Sequence, residues 1–340
     1  GTVSMWDVTD PAGPRPMSTP SLTADAAIAF SPDGRTLAAA GLDGTVTFWD
    51  VTDEAGPRRL GVLSTGHTDL LNTVAFASDG RTLATASSDR TVMLWDVADP
   101  TRPRSLGPPL IGHTDTVDAV AFAPDGRTLA SASGDGTVIL WDLTDPAQPR
   151  PRGAPLTGHT YAVWSVAFAP DGRTLATGGV DKTVILWDVT DPARPRSLGT
   201  PLTDHTGPVL SVAFAPDGRT LATAGDDKSV ILWDVTDPAR PRRVGVPLEG
   251  HFGPVTSMVF APDGRTLATG SDDSTVILWD LTEPGRPRPG TPRLESDDGP
   301  LDSVAFAPAG HTVATGAYGG EVMLWDVADP ARPRRVGDPL

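Results

Sequence analysis

Apolar residues in this chain recur in short runs, each ended by a turn signal. Within residues 112–157 the runs are Val117–Ala123, Thr128–Ser133 and Thr137–Leu143, followed by a Pro- and Arg-rich stretch around Arg150–Pro155. Asp-Gly pairs stand between the runs, and such pairs favour hairpin turns because glycine tolerates positive φ. The pattern therefore predicts a four-stranded antiparallel meander.

Both faces of the predicted strands are apolar. In the first strand, Val120 and Phe122 alternate with Ala121 and Ala123. A sheet with two apolar faces must be covered on both sides, whereas the proline-rich fourth run lacks ladder donors and belongs at an open edge. Radial stacking of such sheets around an axis meets both demands, so the pattern predicts a β-propeller. A linear solenoid would leave its two end sheets uncovered.

The same unit is repeated along the whole chain. Its Trp-Asp pairs are spaced by 43 and then by 46 residues, a period typical of repeat architectures. The pairs are residues 6–7, 49–50, 95–96, 141–142, 187–188, 233–234, 279–280 and 325–326. The Gly-His start, the Pro-Asp-Gly hairpin and the Trp-Asp end of each unit resemble the WD40 repeat. The composition and the Asp-Pro-Ala-Arg-Pro-Arg linkers resemble the WD40 arrays of actinobacterial, and thus bacterial, proteins.

The resemblance implies an all-β fold, a WD40 β-propeller of four-stranded antiparallel blades. Seven first strands are present, so we predict one domain over residues 1–340, with seven repeats in 23–340 and a half-repeat, 1–22, involved in ring closure. Third strands number eight, which makes Thr2–Val8 and Glu321–Val327 rivals for the closing blade. An eight-bladed ring, incomplete or truncated, is the alternative.

Five units share a set of four polar residues at fixed spacing. The resemblance implies a structural role for each set, in which Asp accepts from His, His bonds the Ser or Thr hydroxyl, and the hydroxyl bonds the Trp indole. The sets are His67, Thr85, Asp89 and Trp95; His113, Ser131, Asp135 and Trp141; His159, Thr177, Asp181 and Trp187; His205, Thr223, Asp227 and Trp233; and His251, Thr269, Asp273 and Trp279.

One of these sets, His113–Ser131–Asp135, has the residue types of a hydrolase triad. The pattern occurs in five units, however, four of which carry threonine, and no Gly-x-Ser-x-Gly elbow surrounds Ser131. We therefore expect a structural set and no catalytic residue.

The first and last units depart from this pattern. The first has Ala39 at the hydroxyl position and lacks its histidine, and the last has Asp297 and Gly319 where histidine and aspartate are expected. We expect the ring to be softest between these two units. His311 lies in a hairpin and is interpreted as a solvated turn residue.

Composition narrows the possible partners. The chain carries 27 basic and 43 acidic residues, a formal net charge of −16. This charge disfavours nucleic acid as a partner, because counterion release needs a basic face.

Cysteine is absent, which excludes disulfides and fits a reducing compartment, so we expect a cytoplasmic location. No run is long enough to span a membrane, and without converging ligands or a phosphate-binding loop we expect neither cofactor nor metal.

Function is expected where the repeats differ. The resemblance points to the face that carries the Gly-His turns, called the Gly-His face below. Aromatic residues outside the repeated set are predicted on it, and aromatics are enriched at interface hot spots. The candidate partner-binding residues are Trp164, Tyr161, Tyr318, Phe252, Leu70, Asp118, Leu210, Asp226, Asp272 and Asp302. Repeat arginines are predicted on the opposite face or the outer rim, which leaves an acidic face suited to a basic segment.

The sequence thus predicts a non-catalytic protein–protein interaction scaffold, a monomeric ring that recognises a protein or peptide and forms part of a larger signalling or regulatory protein. Two alternatives stay open. One is a propeller enzyme with a site at the channel mouth, which would need convergent, non-repeating polar residues there. The other is an engineered or selected repeat scaffold without a partner, suggested by the near-identical middle units.

Overall fold

Seven antiparallel sheets follow one another along the chain. The computed structural model describes residues 27–41, 43–52, 57–283, 285–290, 293–296, 299–330 and 332–340, and the backbone of the short strands Trp6–Asp7 and Arg15–Pro16. Every regular element of this described part is a β-strand. Apart from a two-stranded sheet formed by Trp6–Asp7 and Arg15–Pro16, seven sheets are each built from four or five consecutive strands; each of these seven forms one blade, numbered 1 to 7 in chain order.

The strands of each blade are given in chain order. Blade 1 contains Ile28–Phe30, Thr36–Ala40, Thr45–Asp50 and Arg58–Ser64. Blade 2 contains Leu71–Phe76, Thr82–Ser87, Thr91–Asp96, and Arg104–Ser105 with Leu110–Ile111. Blade 3 contains Val117–Phe122, Thr128–Ser133, Thr137–Asp142, and Arg150–Pro151 with Leu156–Thr157. Blade 4 contains Val163–Phe168, Thr174–Gly179, Val184–Asp188 and Arg196–Leu202.

The remaining blades follow the same plan. Blade 5 contains Val209–Phe214, Thr220–Gly225, Ser229–Asp234 and Arg242–Glu249. Blade 6 contains Val255–Phe260, Thr266–Ser271, Thr275–Asp280, and Arg288–Pro289 with Leu294–Glu295. Blade 7 contains Leu301–Phe306, Thr312–Ala317, Val322–Asp326 and Arg334–Arg335. In blades 2, 3 and 6 the fourth strand is two short segments that both pair with the third strand.

Both faces of each blade are covered by its neighbours. Between blades 3 and 4, Ala130 and Leu140 pack against Val166, Leu175 and Trp187, and all five are buried. An equivalent buried cluster fills each of the other six seams, including the seam between blades 7 and 1. The apolar faces are thus covered all round the ring, which confirms the prediction of a seven-bladed propeller.

The ring closes by side-chain packing between blade 7 and blade 1. Ile28 and Leu37 share a buried cluster with Ala314 and Leu324. This cluster has six buried residues, whereas each of the others has at least ten. Among the residues that the structure describes, the closing seam therefore has the fewest buried apolar side chains.

The closing blade takes its third strand from the C-terminal part of the chain. Val322–Asp326 pairs with the second strand of blade 7, whereas Trp6–Asp7 pairs with Arg15–Pro16 in a separate two-stranded sheet. Of the two rivals for this position, the C-terminal one is therefore observed. The rest of Thr2–Val8 lies outside the described residues, and the role of residues 1–22 in ring closure stays a prediction.

Glycines on the outer rim bring adjacent blades into close contact. Gly153 has a φ of +73°, and a Cβ added to it would lie 2.6 Å from the Ala193 carbonyl oxygen of the next blade. Gly61, Gly107 and Gly199 meet the next blade in the same way. Only glycine lets the fourth strand approach the neighbouring loop this closely.

We expect Gly153→Ala to destabilise the ring more than Gly66→Ala. Gly66 has a similar φ, +77°, but an added Cβ would meet nothing within 4 Å. Gly66→Ala should therefore lower the free energy of unfolding only by the cost of placing alanine in the left-handed region, about 1–2 kcal/mol. Gly153→Ala adds a clash with the backbone of the next blade. Urea unfolding followed by tryptophan fluorescence measures both values. Equal losses would mean that the rim contact has no energetic weight.

Candidate functional site

The loops of the propeller project from two opposite faces. In an antiparallel meander, the loop that enters the first strand and the turn between the second and third strands lie at the same end. These loops and turns form the Gly-His face. The hairpins between the first and second strands, and the loops after Trp-Asp, form the opposite face.

Each four-residue set forms a continuous hydrogen-bonded chain inside its blade. In blade 3, His113 Nδ1 lies 3.0 Å from Asp135 Oδ2, and His113 Nε2 lies 2.8 Å from Ser131 Oγ. The Trp141 indole donates to the same hydroxyl over 2.8 Å. An imidazole protonated at Nδ1 satisfies all four groups, because it donates to the carboxylate and accepts the hydroxyl proton at Nε2.

The structure brings the other four sets together with nearly the same geometry. His Nδ1 lies 2.8–3.1 Å from the carboxylate, and His Nε2 lies 2.8–2.9 Å from the hydroxyl. The indole nitrogen lies 2.9–3.0 Å from that hydroxyl. These sets contain His67, Thr85, Asp89 and Trp95; His159, Thr177, Asp181 and Trp187; His205, Thr223, Asp227 and Trp233; and His251, Thr269, Asp273 and Trp279.

The aspartate of each set ties the two kinds of loop on the Gly-His face together. Asp135 also accepts from the backbone N–H of Thr114, over 2.9 Å, and from the Thr137 hydroxyl, over 2.7 Å. Burial raises the pKa of this carboxyl, but the hydrogen bonds together outweigh burial and lower its pKa overall. The carboxylates of the other four sets follow the same rule, with the pKa of each lowered. The loops that carry the candidate site are therefore anchored to buried polar chains.

Ser131 is inaccessible as a nucleophile. The residue is fully buried, and its hydroxyl already lies between His113 and the Trp141 indole. A substrate carbonyl has no route to this oxygen without unfolding the blade. The geometry of the set is thus structural, although its residue types match a hydrolase triad.

Blades 1 and 7 lack parts of the set. In blade 7 the Trp325 indole donates to Thr315 over 3.2 Å, while Gly319 stands at the aspartate position and Asp297 lies outside the described residues. In blade 1, where Ala39 replaces the hydroxyl, the Trp49 indole nitrogen is buried and has no hydrogen-bond partner among the described residues. A buried donor without a partner costs about 1–3 kcal/mol.

We expect Ala39→Thr to be more stable than Ala39→Val by about 1–2 kcal/mol. Ala39 occupies the position of the buried hydroxyl in blades 2 to 6, and the two replacements have nearly the same shape. Only threonine supplies an acceptor for the Trp49 indole. Thermal unfolding of the two variants measures the difference, and equal stabilities would show that the indole nitrogen finds another partner.

The candidate aromatic residues are exposed on the Gly-His face. Tyr161, Trp164, Phe252 and Tyr318 have 38–79% of their surface exposed, and Leu70 is exposed as well. They lie in the loops before the first strands, at the start of one first strand, or in a turn between second and third strands. Leu210, also a candidate, is half-buried.

The Phe252 ring lies against the side chain of Arg293, a contact that was not predicted from the sequence. The Arg293 guanidinium lies 5.4 Å from the Phe252 ring centroid and donates to the Gly250 carbonyl over 2.7 Å. Arg293 is 41 residues further along the chain, so spacing within one repeat gives no signal for this pair. The contact fixes the ring at the rim of the face.

One position in each repeat, five residues after the histidine, lines the mouth of the central channel. In blade 2 the Asn72 side-chain amide donates to the Val117 carbonyl of blade 3 over 3.0 Å. In blade 6 the Thr256 hydroxyl donates to the Leu301 carbonyl of blade 7 over 2.5 Å. The other described members of this ring of positions are Asp118, Trp164, Leu210 and Asp302. Two of them are carboxylates, and at this position a side chain reaches toward the next blade.

Asp118 is a half-buried carboxyl that forms no ion pair with any described lysine or arginine. Its carboxylate accepts from the Thr116 hydroxyl, which lies 3.2 Å from Oδ1 and 3.3 Å from Oδ2. Burial, reinforced by the charges of Asp115 and Asp135, raises the pKa of Asp118 to about 6. Burial likewise raises the pKa of a second candidate on this face, Asp272, and the Asp226 charge adds to the effect.

The acidic excess of the described chain lies on the Gly-His face. On the opposite face, the first hairpins of blades 1 to 6 each pair one aspartate with one arginine two residues later, and the loops after Trp-Asp in blades 2 to 6 pair two acids with at least two arginines. Acids on the Gly-His face outnumber bases among the described residues. They are Asp43, Asp69, Asp89, Asp115, Asp118, Asp135, Asp181, Asp204, Asp226, Asp227, Asp272, Asp273, Asp302 and Glu321.

Three basic residues on this face escaped the sequence analysis. Arg90, Lys182 and Lys228 have φ angles of 66–73° in the turns between second and third strands. Each directly follows a turn aspartate, where blade 3 has Gly136, so the register of the repeats held the signal. They give blades 2, 4 and 5 a local positive charge within the acidic face.

Among the described residues, no group of three or more acidic or histidine side chains is arranged to hold a metal ion. The same part of the chain has no helix able to cross a bilayer.

We expect Asp118→Asn to stabilise the protein at pH 7.5 by about 1–2 kcal/mol, a value reduced for partial exposure. The pKa of Asp118 in the folded state, about 6, lies above the ordinary aspartate value of 3.8. The loss of stability caused by the buried carboxylate is therefore greatest above pH 6. It decreases as Asp118 in the folded protein takes up a proton, and it disappears below about pH 4. Urea unfolding at several pH values measures the difference.

The matched control is Asp226→Asn, which removes one charge from an exposed position on the same face. Its stability gain at pH 7.5 should be smaller than that of Asp118→Asn. A gain for Asp118→Asn that stays constant from pH 7.5 to pH 4 would contradict the raised pKa.

Fold and site together define a closed seven-bladed propeller stabilised by buried polar sets. The family model described as WD domain, G-beta repeat matches seven segments of the chain, residues 25–50, 58–96, 105–142, 152–188, 196–234, 242–280 and 292–326. This protein therefore belongs to the WD40 family, as the resemblance indicated. A search of curated proteins returned no match. WD40 propellers are commonly protein-interaction scaffolds, are typically non-enzymatic, and generally bind proteins or peptides.

Proposed function

We propose that this propeller is a non-catalytic interaction scaffold that binds a flexible, basic segment of a partner protein on its Gly-His face. The observation that carries the proposal is the coincidence of exposed aromatic side chains with the acidic excess on one face. Tyr161, Trp164, Phe252 and Tyr318 are exposed there. Aromatic anchors supply contact area at low entropic cost, and complementary charge supplies orientation and a fast encounter.

The rigidity of the face supports this role. Its loops are anchored through the five buried carboxylates, for example by the bond from the Thr160 backbone N–H to Asp181 over 2.9 Å. A surface that is already ordered loses little entropy when a partner binds, so more of the contact energy remains as affinity. The partner segment, in contrast, can be disordered before it binds.

The alternative of a propeller enzyme has less support. The described residues at the channel mouth offer Asn72, Asp118, Thr256 and Asp302, of which two already bond across blade seams. No nucleophile with an adjacent base occurs among them. We further propose that the ring acts as a monomer in the cytoplasm and as the docking part of a larger signalling or regulatory protein.

Selection from a random twelve-residue peptide library displayed on phage tests the proposal. We expect the enriched peptides to carry an excess of Lys and Arg and to lose at least about tenfold in affinity, roughly 1.4 kcal/mol, with Tyr161→Ala or Trp164→Ala. Fluorescence anisotropy of labelled peptides measures affinity at 150 mM salt.

The control is Ile111→Ala, which removes an exposed apolar side chain from the fourth strand of blade 2, on the outer rim. Its affinity should equal that of the wild type. Enriched peptides without a basic excess, or peptides indifferent to both aromatic variants, would overturn the proposed face. A selection that enriches nothing would favour the alternative of a scaffold without a partner.

A further inference from the structure

The outer edge of blade 1 lacks a proline that most other blades carry. In blades 2 to 5 and 7 a proline directly precedes the leucine that pairs with the third strand; these prolines are Pro109, Pro155, Pro201, Pro247 and Pro339. In blade 1 this leucine is Leu63, which pairs with Val46, and Val62 precedes it. Blade 6 has Arg293 at this position, but its fourth strand is split. Proline has no N–H to donate and so protects an exposed sheet edge from pairing.

The fourth strand of blade 1 also pairs more regularly than the fourth strands of the other blades. Its register is unbroken from Ser64 opposite Thr45 to Gly61 opposite Phe48, and a single shift follows at Leu60. In blades 4 and 5 three residues of the fourth strand stand opposite one residue of the third strand, and in blades 2, 3 and 6 the fourth strand is split. An unbroken edge strand is a template on which another strand can pair.

Backbone groups of this strand point away from the blade. The Thr65 N–H donates to the Gly44 carbonyl over 3.3 Å. Because inward and outward groups alternate along an antiparallel ladder, Leu63 also bonds inward, whereas the N–H and C=O of Val62 and Ser64 point outward. Within the described part of the chain no strand pairs with this edge. The edge therefore offers donors and acceptors at two alternate residues.

The side chains along this edge indicate what kind of strand would fit. Val62 pairs with Thr47 and Arg59 pairs with Trp49. Thr47 and Trp49 are two residues apart, so Val62 and Arg59 lie on the same face of the blade. Val62 has 37% of its surface exposed, and Arg59 is exposed and forms no ion pair with the described residues. An added strand would be complementary if it carried an apolar and an acidic side chain on this face.

We propose that the outer edge of blade 1, Arg58–Ser64, binds an extended acidic segment of a partner protein as a fifth strand. The segment pairs its backbone with the outward groups of Val62 and Ser64, and it places an apolar side chain beside Val62 and a carboxylate beside Arg59. In this mode of recognition the main-chain hydrogen bonds supply affinity and the side chains supply specificity. The site goes beyond the proposed function, because it lies on the rim, away from the Gly-His face, and takes a segment of opposite charge.

Peptide selection followed by a backbone variant tests the proposal. A proline-free nine-residue library rich in Asp, Glu, Val, Ile and Thr, displayed on phage, supplies the probes. We expect the enriched peptides to bind Val62→Pro at least about tenfold more weakly than the wild type, because the outward N–H is lost. The matched control Val62→Thr keeps the N–H and nearly the same shape, and should bind as the wild type does. A selection without binders, or equal affinity for the wild type and Val62→Pro, would overturn the proposal.

N-methylation of the peptide backbone tests strand pairing on the wild-type protein, in case Val62→Pro does not fold. Methylation of every second amide in the peptide core should reduce affinity at least about tenfold, whereas methylation of the intervening amides should have little effect. Losses at all positions, or at none, would overturn pairing as a strand.

Amide hydrogen exchange of the ¹⁵N-labelled protein locates the bound peptide. Exchange at Val62 and Ser64 should slow at saturating peptide, and exchange at Val246 on the edge of blade 5 should not change. Slowing confined to the loops of the Gly-His face would overturn the rim site.

The charge of the occupant is tested with Arg59→Gln, which should weaken binding of the acidic peptides. The matched control is Arg243→Gln, which changes the arginine at the same register position of blade 5. Equal effects of the two variants would overturn the role of Arg59. Sedimentation of the protein alone tests the other possible occupant, since a dimer that Val62→Pro dissociates would assign this edge to a second copy of the chain and overturn the partner segment.

Discussion

Each blade of this propeller has two apolar faces, and only another blade can cover them. The buried clusters therefore lie between sheets rather than within one, as for Leu140 of blade 3 against Trp187 of blade 4. No blade can complete its core alone, and the arrangement is finished only when the last seam is filled. Among the described residues, the seam of blades 7 and 1 has the fewest buried side chains, and the ring is complete only when this seam is filled as well.

The apolar faces need a neighbouring blade, whereas the polar groups inside the blades do not. Each four-residue set finds its hydrogen-bond partners within its own blade. The carboxylate of Asp135 receives its bonds from the loop before the first strand and from the turn after the second strand, so one buried group orders both loops. Packing between blades holds the ring together, and hydrogen bonding within blades positions the loops. Side chains that neither pack between blades nor position the loops, such as those of Tyr161 and Phe252, can differ from repeat to repeat. These side chains form the proposed binding surface.

Most of the fold could be predicted from the sequence. Side chains alternate between the two faces of each strand, turn residues mark the strand ends, and both local signals recur in every repeat at a constant spacing. The chains of hydrogen bonds around His113 and its equivalents could be anticipated from the residue types, the spacing and the family resemblance. The sequence could not predict that Val322–Asp326 supplies the third strand of the closing blade, because Thr2–Val8 has nearly the same pattern of apolar residues and Trp-Asp. The contact of Arg293 with Phe252 and the burial of Asp118 depend on which segments meet in space. Such contacts leave no trace in the spacing of a single repeat.

Within the described residues, every blade is a contiguous stretch of chain, and blades 7 and 1 share no strand. Among the described residues, the closing seam is formed by the same packing of apolar side chains as the other six. The starting point of the chain is therefore arbitrary with respect to the architecture. A circular permutation that opens any loop after a fourth strand and links blade 7 to blade 1 would preserve every sheet, which makes this ring a suitable host for insertion of another domain at a chosen point of its circumference.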